Sequence, residues 1–185
     1  MIFFIQDLLN YSVLAGSLLV LALLVLLCFS KQSKNQPNGF WGKLFTLLKN
    51  NAYWFVFIIS AAATLGSLFL SEVIKLPPCD LCWFQRVFMY SIALLFLVAL
   101  LKQERILKPY ALTLAIVGGL IALYQYFLQI GTMLNVETDQ FIPCSVTNVS
   151  CSTITDIFFG FITIPMSSLV AFALIVLFLV YDRKS

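Results

Sequence analysis

The chain is built from long apolar runs separated by short polar breaks. Runs at 11–29, 53–74, 84–101, 110–129 and Ile164–Tyr181 are nearly free of charge. Each is close to the roughly 20 apolar residues that a helix needs to cross a bilayer. Backbone groups in lipid must be satisfied within their own segment, so the runs are read as five membrane-spanning helices of one all-α membrane domain. Pro77-Pro78 ends the second run, and Pro109 opens the fourth, where its missing N–H costs little. The breaks are too short to hold a second, soluble domain. The longest outer one, 130–163, has no Lys or Arg and holds an aromatic piece interrupted by Gly160, expected at the membrane interface. The connector 31–51 combines turn formers with lysines and aromatic residues, and reads as a basic loop.

Composition agrees with this pattern. The chain of 185 residues is 62% apolar and 10% charged, with a mean hydropathy of +1.01, whereas soluble domains carry about a quarter charged residues. The first run is expected to be retained as a helix. A signal peptide carries a positive leading stretch, but residues 1–10 hold Asp7 and no Lys or Arg. The 0 histidines exclude a His-based triad, His ligation of haem and any His-bearing metal site. Polar residues inside the runs are few, mainly Ser60, Thr64, Ser67, Gln125 and Ser167, and none suggests a charged ion pathway.

Charge predicts the orientation. Lys31, Lys34, Lys43 and Lys49 lie between the first two runs, and Lys102, Arg105 and Lys108 between the third and fourth. Arg183 and Lys184 are in the tail. Only Lys75 and Arg86 of the 11 basic residues fall on the other side, together with Asp7, Glu72, Asp80, Glu137, Asp139 and Asp156. The positive-inside rule then places the amino terminus outside and the carboxyl terminus in the cytoplasm of a cell inner (plasma) membrane protein.

On that topology two cysteine pairs face outward, in the compartment where disulfides persist. Cys79-Asp80-Leu81-Cys82 follows the double proline, and Cys144 and Cys151 lie in the outer segment. A CxxC at a helix start can close a small ring, and the helix dipole favours a thiolate at Cys82. A ring this small gains little chain-entropy stabilisation, which argues for redox chemistry over a structural staple. Arg86, one turn below Cys82, is a cation at the membrane edge and a functional candidate; snorkelling to the surface is its plain alternative. Four cysteines could also bind zinc, but the six residues between Cys144 and Cys151 are wider than the usual ligand spacing. Taken alone, the Cys144/Cys151 pair suits a structural disulfide as well as an exchange role. Two pairs within reach can pass electrons in series. Cys28, near the cytoplasmic end of the first run, has no partner in its segment and reads as a small hydrophobe. No nucleotide, haem or flavin motif is present, so a lipid-soluble electron acceptor is the natural choice. Trp83, Phe84 and Tyr90 could pack a flat ring, although interfacial aromatics are usually anchors.

The stretch from Cys79 through Cys82-Trp83-Phe84-Gln85-Arg86, the outer cysteine pair, and the downstream segment 158–169 together resemble the DsbB/BdbC disulfide-bond formation proteins. The resemblance covers about 53–181. It implies a four-helix transmembrane bundle over 53–185, to which the apolar run at 11–29 adds one N-terminal transmembrane helix within 1–52. It implies a membrane thiol:quinone oxidoreductase that reoxidises an extracytoplasmic thioredoxin-like (DsbA-like) protein and passes electrons to ubiquinone or menaquinone. It further implies that Cys79 and Cys82 are the quinone-proximal pair, that Arg86 assists the quinone, and that Cys144 and Cys151 exchange with the partner. No nucleic acid and no metal enter this reading. Two features depart from the common pattern: the extra first helix and the close spacing of the outer pair. The vitamin K epoxide reductase family does related chemistry, but there the loop cysteines precede the CxxC. A membrane scaffold with two structural disulfides is the non-enzymatic alternative.

Overall fold

The computed structural model describes residues 51–73, 75, 77–103, 106–133 and 163–181. These form four helices: α1 (Ala52–Glu72), α2 (Asp80–Lys102), α3 (Lys108–Met133) and α4 (Ile164–Tyr181). No strand occurs among the described residues. The run at 11–29, the basic connector, Cys28 and the pair Cys144/Cys151 lie outside them.

Each helix ends for a local reason. The turn after α1 begins at Val73, whose N–H donates to Phe69 O, and passes through Lys75 at φ 63°. The two prolines that follow have no N–H to donate, so the chain restarts at Cys79, the N-cap of α2, in an extended conformation. Cys79 O accepts the Trp83 N–H at 3.1 Å, and Asp80 places a carboxylate in the first turn, where the helix dipole favours it. At the far end of α2, Lys102 occupies the last turn and Gln103 adopts a left-handed conformation at φ 56°. The helix α4 has the predicted bounds. The helix α2 starts four residues before its apolar run, and α3 extends its run at both ends.

The helices form a closed ring, with α1 against α2 and α4, and α3 against α2 and α4. The short turns after α1 and α2 make those neighbours antiparallel. Three helices, α1 to α3, are long and apolar enough to cross a membrane, while α4 is a shorter apolar helix. The outer surfaces match a lipid setting: Trp54, Leu65, Leu94, Leu101 and Leu120 are exposed.

The interior is set by one stripe on each of the two central helices. On α2 the residues Gln85, Met89, Ile92, Phe96 and Ala99 are buried, spaced alternately by four and three. On α3 the stripe is Ala111, Ala115, Gly118, Ala122, Gln125 and Gln129, with the same spacing. The alanines and glycine let backbones approach closely, which is how helices pack where no hydrophobic force separates lipid from protein. Gly118 lies under the Phe172 ring of α4, and a Cβ added there would stand 2.4 Å from Cζ. Phe172, Ile175 and Leu179 of α4 complete the core with Val56 of α1, and Tyr53 meets Phe96 edge to face at 5.0 Å. Running antiparallel, α2 and α3 bring their glutamines to the same level of the bundle, beside the cysteines.

Candidate redox site

The site begins with the turn that the double proline enforces. Cys79, at the N-cap, is buried, and Cys82 is half-buried one turn into α2. Their sulfurs are 3.0 Å apart, in hydrogen-bond contact. The Cys79 thiol donates toward Cys82 Sγ. A disulfide needs about 2.05 Å, so the sulfurs stand about an ångström beyond bonding distance.

Above the sulfurs stands Gln125 of α3. Its Nε2 donates to Cys79 Sγ at 3.1 Å and to Cys82 Sγ at 3.3 Å. Its Oε1 accepts a 2.6 Å hydrogen bond from Gln85 Nε2 of α2. Both amides are buried, at 2% and 6% exposure for Gln125 and Gln85. Two donors, the Cys79 thiol and the Gln125 amide, therefore converge on Cys82 Sγ, whose own S–H reaches, among the described residues, Gln125 Oε1 at 3.8 Å. Donors aimed at a sulfur are strongest when that sulfur is charged, so the geometry is suited to a thiolate at Cys82.

Other polar residues in the helices behave differently. Ser60 donates to Phe57 O and Ser167 to Ile164 O, each within its own helix. These hydroxyls satisfy themselves. A glutamine buried in the bundle is satisfied most readily from another helix. That tendency marks Gln125, together with Gln85 and Gln129, from the sequence alone. The register of Gln125 opposite Gln85 and the cysteines, 40 to 46 positions away, could not be read there.

Arg86 is placed one turn below Cys82, as the spacing requires. Its Nη2 donates to Ser67 O of α1 at 3.1 Å, tying α2 to α1, and its Cζ lies 5.3 Å from the centre of the Trp83 ring. The guanidinium thus stacks on an aromatic face while keeping donors to spare. It lines a cleft of about 230 Å³ together with Leu68, Ser71, Glu72, Lys75, Pro77, Pro78, Trp83 and Tyr90. The Tyr90 hydroxyl is buried and has no hydrogen-bond partner among the described residues. This donor set fits a flat ring bearing carbonyl oxygens: Arg86 and Tyr90 supply donors, and Trp83, the prolines and Leu68 supply apolar walls. Of the expected ring contacts, Trp83 and Tyr90 line this cleft, while Phe84 is exposed on the helix surface.

Cys79, Cys82 and Arg86 are therefore gathered at one end of α2, while Cys144 and Cys151 lie outside the described residues. Comparison with known proteins agrees with the chemistry of the cysteines. The family profile "Disulfide bond formation protein DsbB" matches residues 49–181. A probable disulfide formation protein of Coxiella burnetii (strain CbuK_Q154) is 39% identical over 140 residues, covering 74% of this chain and 90% of that protein. Disulfide bond formation protein C of Bacillus subtilis (strain 168) is 40% identical over 122 residues, covering 66% of this chain and 85% of that one. A probable disulfide formation protein of Chlamydia caviae is 36% identical over 128 residues, 69% of this chain and 88% of the relative. No solved structure gives a significant match. The sulfur pair at a helix start, the apolar helices around it and these relatives converge: the chain belongs to the DsbB family of disulfide bond formation proteins, membrane oxidoreductases of thiols and disulfides.

Proposed function

We propose that this protein is a membrane thiol:quinone oxidoreductase that reoxidises an extracytoplasmic thioredoxin-like (DsbA-like) dithiol oxidase. The observation that carries this reading is the juxtaposition at the start of α2. Two cysteine sulfurs 3.0 Å apart stand one turn from Arg86, which lines a cleft with donors and apolar walls. The cleft is smaller than the roughly 300–1,000 Å³ of sites that enclose a drug-sized ligand, so it suits a single ring whose tail stays in lipid. A bound ubiquinone or menaquinone supplies an acceptor for two electrons and two protons. Toward it, Arg86 offers a fixed cation and Tyr90 a hydroxyl donor, while Trp83 and the prolines exclude water.

The remaining steps are thiol–disulfide exchange, in which a thiolate attacks a disulfide and frees another thiolate. The partner's thiolate attacks Cys144, breaking the Cys144–Cys151 disulfide and releasing Cys151. The partner's second thiol then closes its own disulfide, leaving Cys144 and Cys151 reduced. Cys151 attacks Cys79, and Cys82 leaves as the thiolate beneath Gln125. Closure of Cys144 on Cys151 completes the transfer to the Cys79/Cys82 pair. In this reading the 53–185 part is a four-helix transmembrane redox domain, with α4 as its fourth span, and 1–52 adds one further transmembrane helix and a basic cytoplasmic connector. The amino terminus is outside, the carboxyl terminus is cytoplasmic, and both cysteine pairs are on the outer face.

Trapping tests the order. Cys151→Ser incubated with the oxidised thioredoxin-like protein should accumulate a mixed disulfide between Cys144 and the partner, because the Cys144 thiolate opens the partner's disulfide, frees its second thiol, and meets no Cys151 to resolve the bond. A partner captured on Cys79 instead would refute it. The orientation is checked by a reporter fused after Ser185, expected in the cytoplasm, and by a membrane-impermeant thiol reagent, expected to reach reduced Cys144 from outside.

A further inference from the structure

The exchange steps make no use of the buried amide pair Gln85–Gln125. Yet the pair is placed with unusual economy. A side-chain amide has two N–H donors on one nitrogen. Those of Gln125 serve two sulfurs, Cys79 at 3.1 Å and Cys82 at 3.3 Å. The other end of the amide is held by Gln85 at 2.6 Å. With Gln85 presenting its NH2, Gln125 turns its oxygen to Gln85 and its own NH2 to the sulfurs; turned over alone, its NH2 would meet the NH2 of Gln85.

The consequence lies in the difference between two redox states. When the pair is reduced, a thiol or thiolate sulfur accepts the amide N–H, and the bond is charge-assisted if the sulfur is ionised. When the pair is oxidised, neither disulfide sulfur carries charge, and the same donor gains less. A contact that favours the reduced form makes the disulfide easier to reduce. We infer that Gln125 is a catalytic residue that stabilises the reduced Cys79/Cys82 pair, that Gln85 positions it, and that together they make the pair a stronger oxidant of incoming thiols. This rests on the reading that Cys79 and Cys82 turn over as a redox couple, and adds to it the residues that tune the couple.

The test is an equilibrium with glutathione. Reduction of the pair breaks the Cys79–Cys82 bond, takes two electrons and two protons from two glutathione thiols, and forms one disulfide in oxidised glutathione. The full chain is used with Cys144→Ser and Cys151→Ser, so that no second pair competes. After quenching and alkylation, trypsin releases residues 76–86, which contain Cys79 and Cys82 and no other cysteine. The oxidised fraction of that peptide across a graded glutathione series gives the equilibrium constant.

Gln125→Met keeps the length and removes the donor. It should shift the equilibrium about tenfold toward the disulfide, equal to about 30 mV more negative. Gln125→Glu, which replaces the NH2 by an oxygen beside the sulfurs, should shift it at least as far in the same direction. Gln85→Leu should shift it less, about threefold, because the donor remains but loses its anchor. If a single variant does not fold, the double variant Gln85→Leu/Gln125→Met serves, since removing both partners of a buried bond is close to neutral for stability. A packing role alone would change thermal stability and leave this equilibrium in place. A midpoint for Gln125→Met within twofold of the starting protein, in a protein whose pair does equilibrate, overturns the inference and leaves the proposed function standing. A pair that never equilibrates with glutathione overturns both.

Discussion

The inward stripe of α2 changes character along its length, and so does that of α3. At one end, α2 offers Cys82 and Gln85, and α3 offers Gln125 and Gln129. At the other, α2 offers Met89, Ile92, Phe96 and Ala99, and α3 offers Ala111, Ala115, Gly118 and Ala122. The spacing is the same throughout; only the side chains differ. The apolar end holds the helices together by close contact and is indifferent to chemistry. The glutamines of the polar end are as buried, but that end holds sulfurs in a defined hydrogen-bond geometry. One helix pair thus separates the task of standing in a membrane from the task of handling thiols, and substitutions at the two ends should fail in different ways.

The largest effect is expected at the polar end. Cys82→Ser or Cys79→Ser removes a sulfur that no hydroxyl can replace in disulfide exchange, so turnover should fall to background while the protein still folds. Circular dichroism and thermal melting alongside the thiol-oxidation assay check both halves of that statement.

At the apolar end the order reverses. In Gly118→Ala the new Cβ would meet the Phe172 ring at 2.4 Å, in a core where Phe172 is 1% exposed. Overpacking of this kind costs about 1–3 kcal/mol. The melting temperature in detergent should drop, with the activity of the protein that remains folded little changed. Phe172→Leu in the same chain should recover part of the loss.

Arg86 stands between the two regimes, since it ties α2 to Ser67 of α1 and also lines the cleft. Charge-assisted contacts are worth about 1.5–3 kcal/mol, roughly ten- to a hundredfold in rate or affinity if realised in full. Arg86→Gln should slow quinone-dependent turnover by that order and raise the apparent KM for quinone. Exchange between the outer pair and the partner should survive in a single turnover without quinone. Arg86→Lys should rescue only in part, because an ammonium lacks the planar fork.

The smallest effect is expected for a polar residue that resembles Gln125 only on paper. Ser60 is fully buried, but its hydroxyl bonds to Phe57 O within its own helix. Ser60→Ala should change stability by about 0.5–1.5 kcal/mol, the net worth of one hydrogen bond, and leave the glutathione equilibrium untouched.

These differences mark what the sequence could and could not disclose. The break at Pro77-Pro78 and the bounds of α4 were legible, because a double proline and a bilayer-length apolar run each have one physical reading. The start of α2 was missed by four residues: Asp80 and Cys82 sit within the helix, yet neither belongs to its apolar run. A carboxylate is welcome in a first turn, so hydropathy understates where such a helix begins. Cys79, Cys82 and Arg86 were legible through their spacing on one helix. Gln125 was visible as a polar residue in an apolar run, but its role depends on the register between α2 and α3, which local pattern does not encode. The Ser67 carbonyl that receives Arg86 was beyond reach for the same reason, since a backbone acceptor leaves no mark in the sequence.

The central claim is that electrons taken from an extracytoplasmic dithiol leave through Cys79 and Cys82 to a membrane quinone. It is tested most directly by following both ends of the reaction at once in the purified full chain, with a reduced thioredoxin-like protein as donor and a soluble quinone as acceptor. One quinone should be reduced for each dithiol oxidised in steady state, and in Cys82→Ser both steady-state signals should vanish together. Dithiol oxidation that continues over many turnovers without quinone reduction, or quinone reduction that persists in Cys82→Ser, would contradict it.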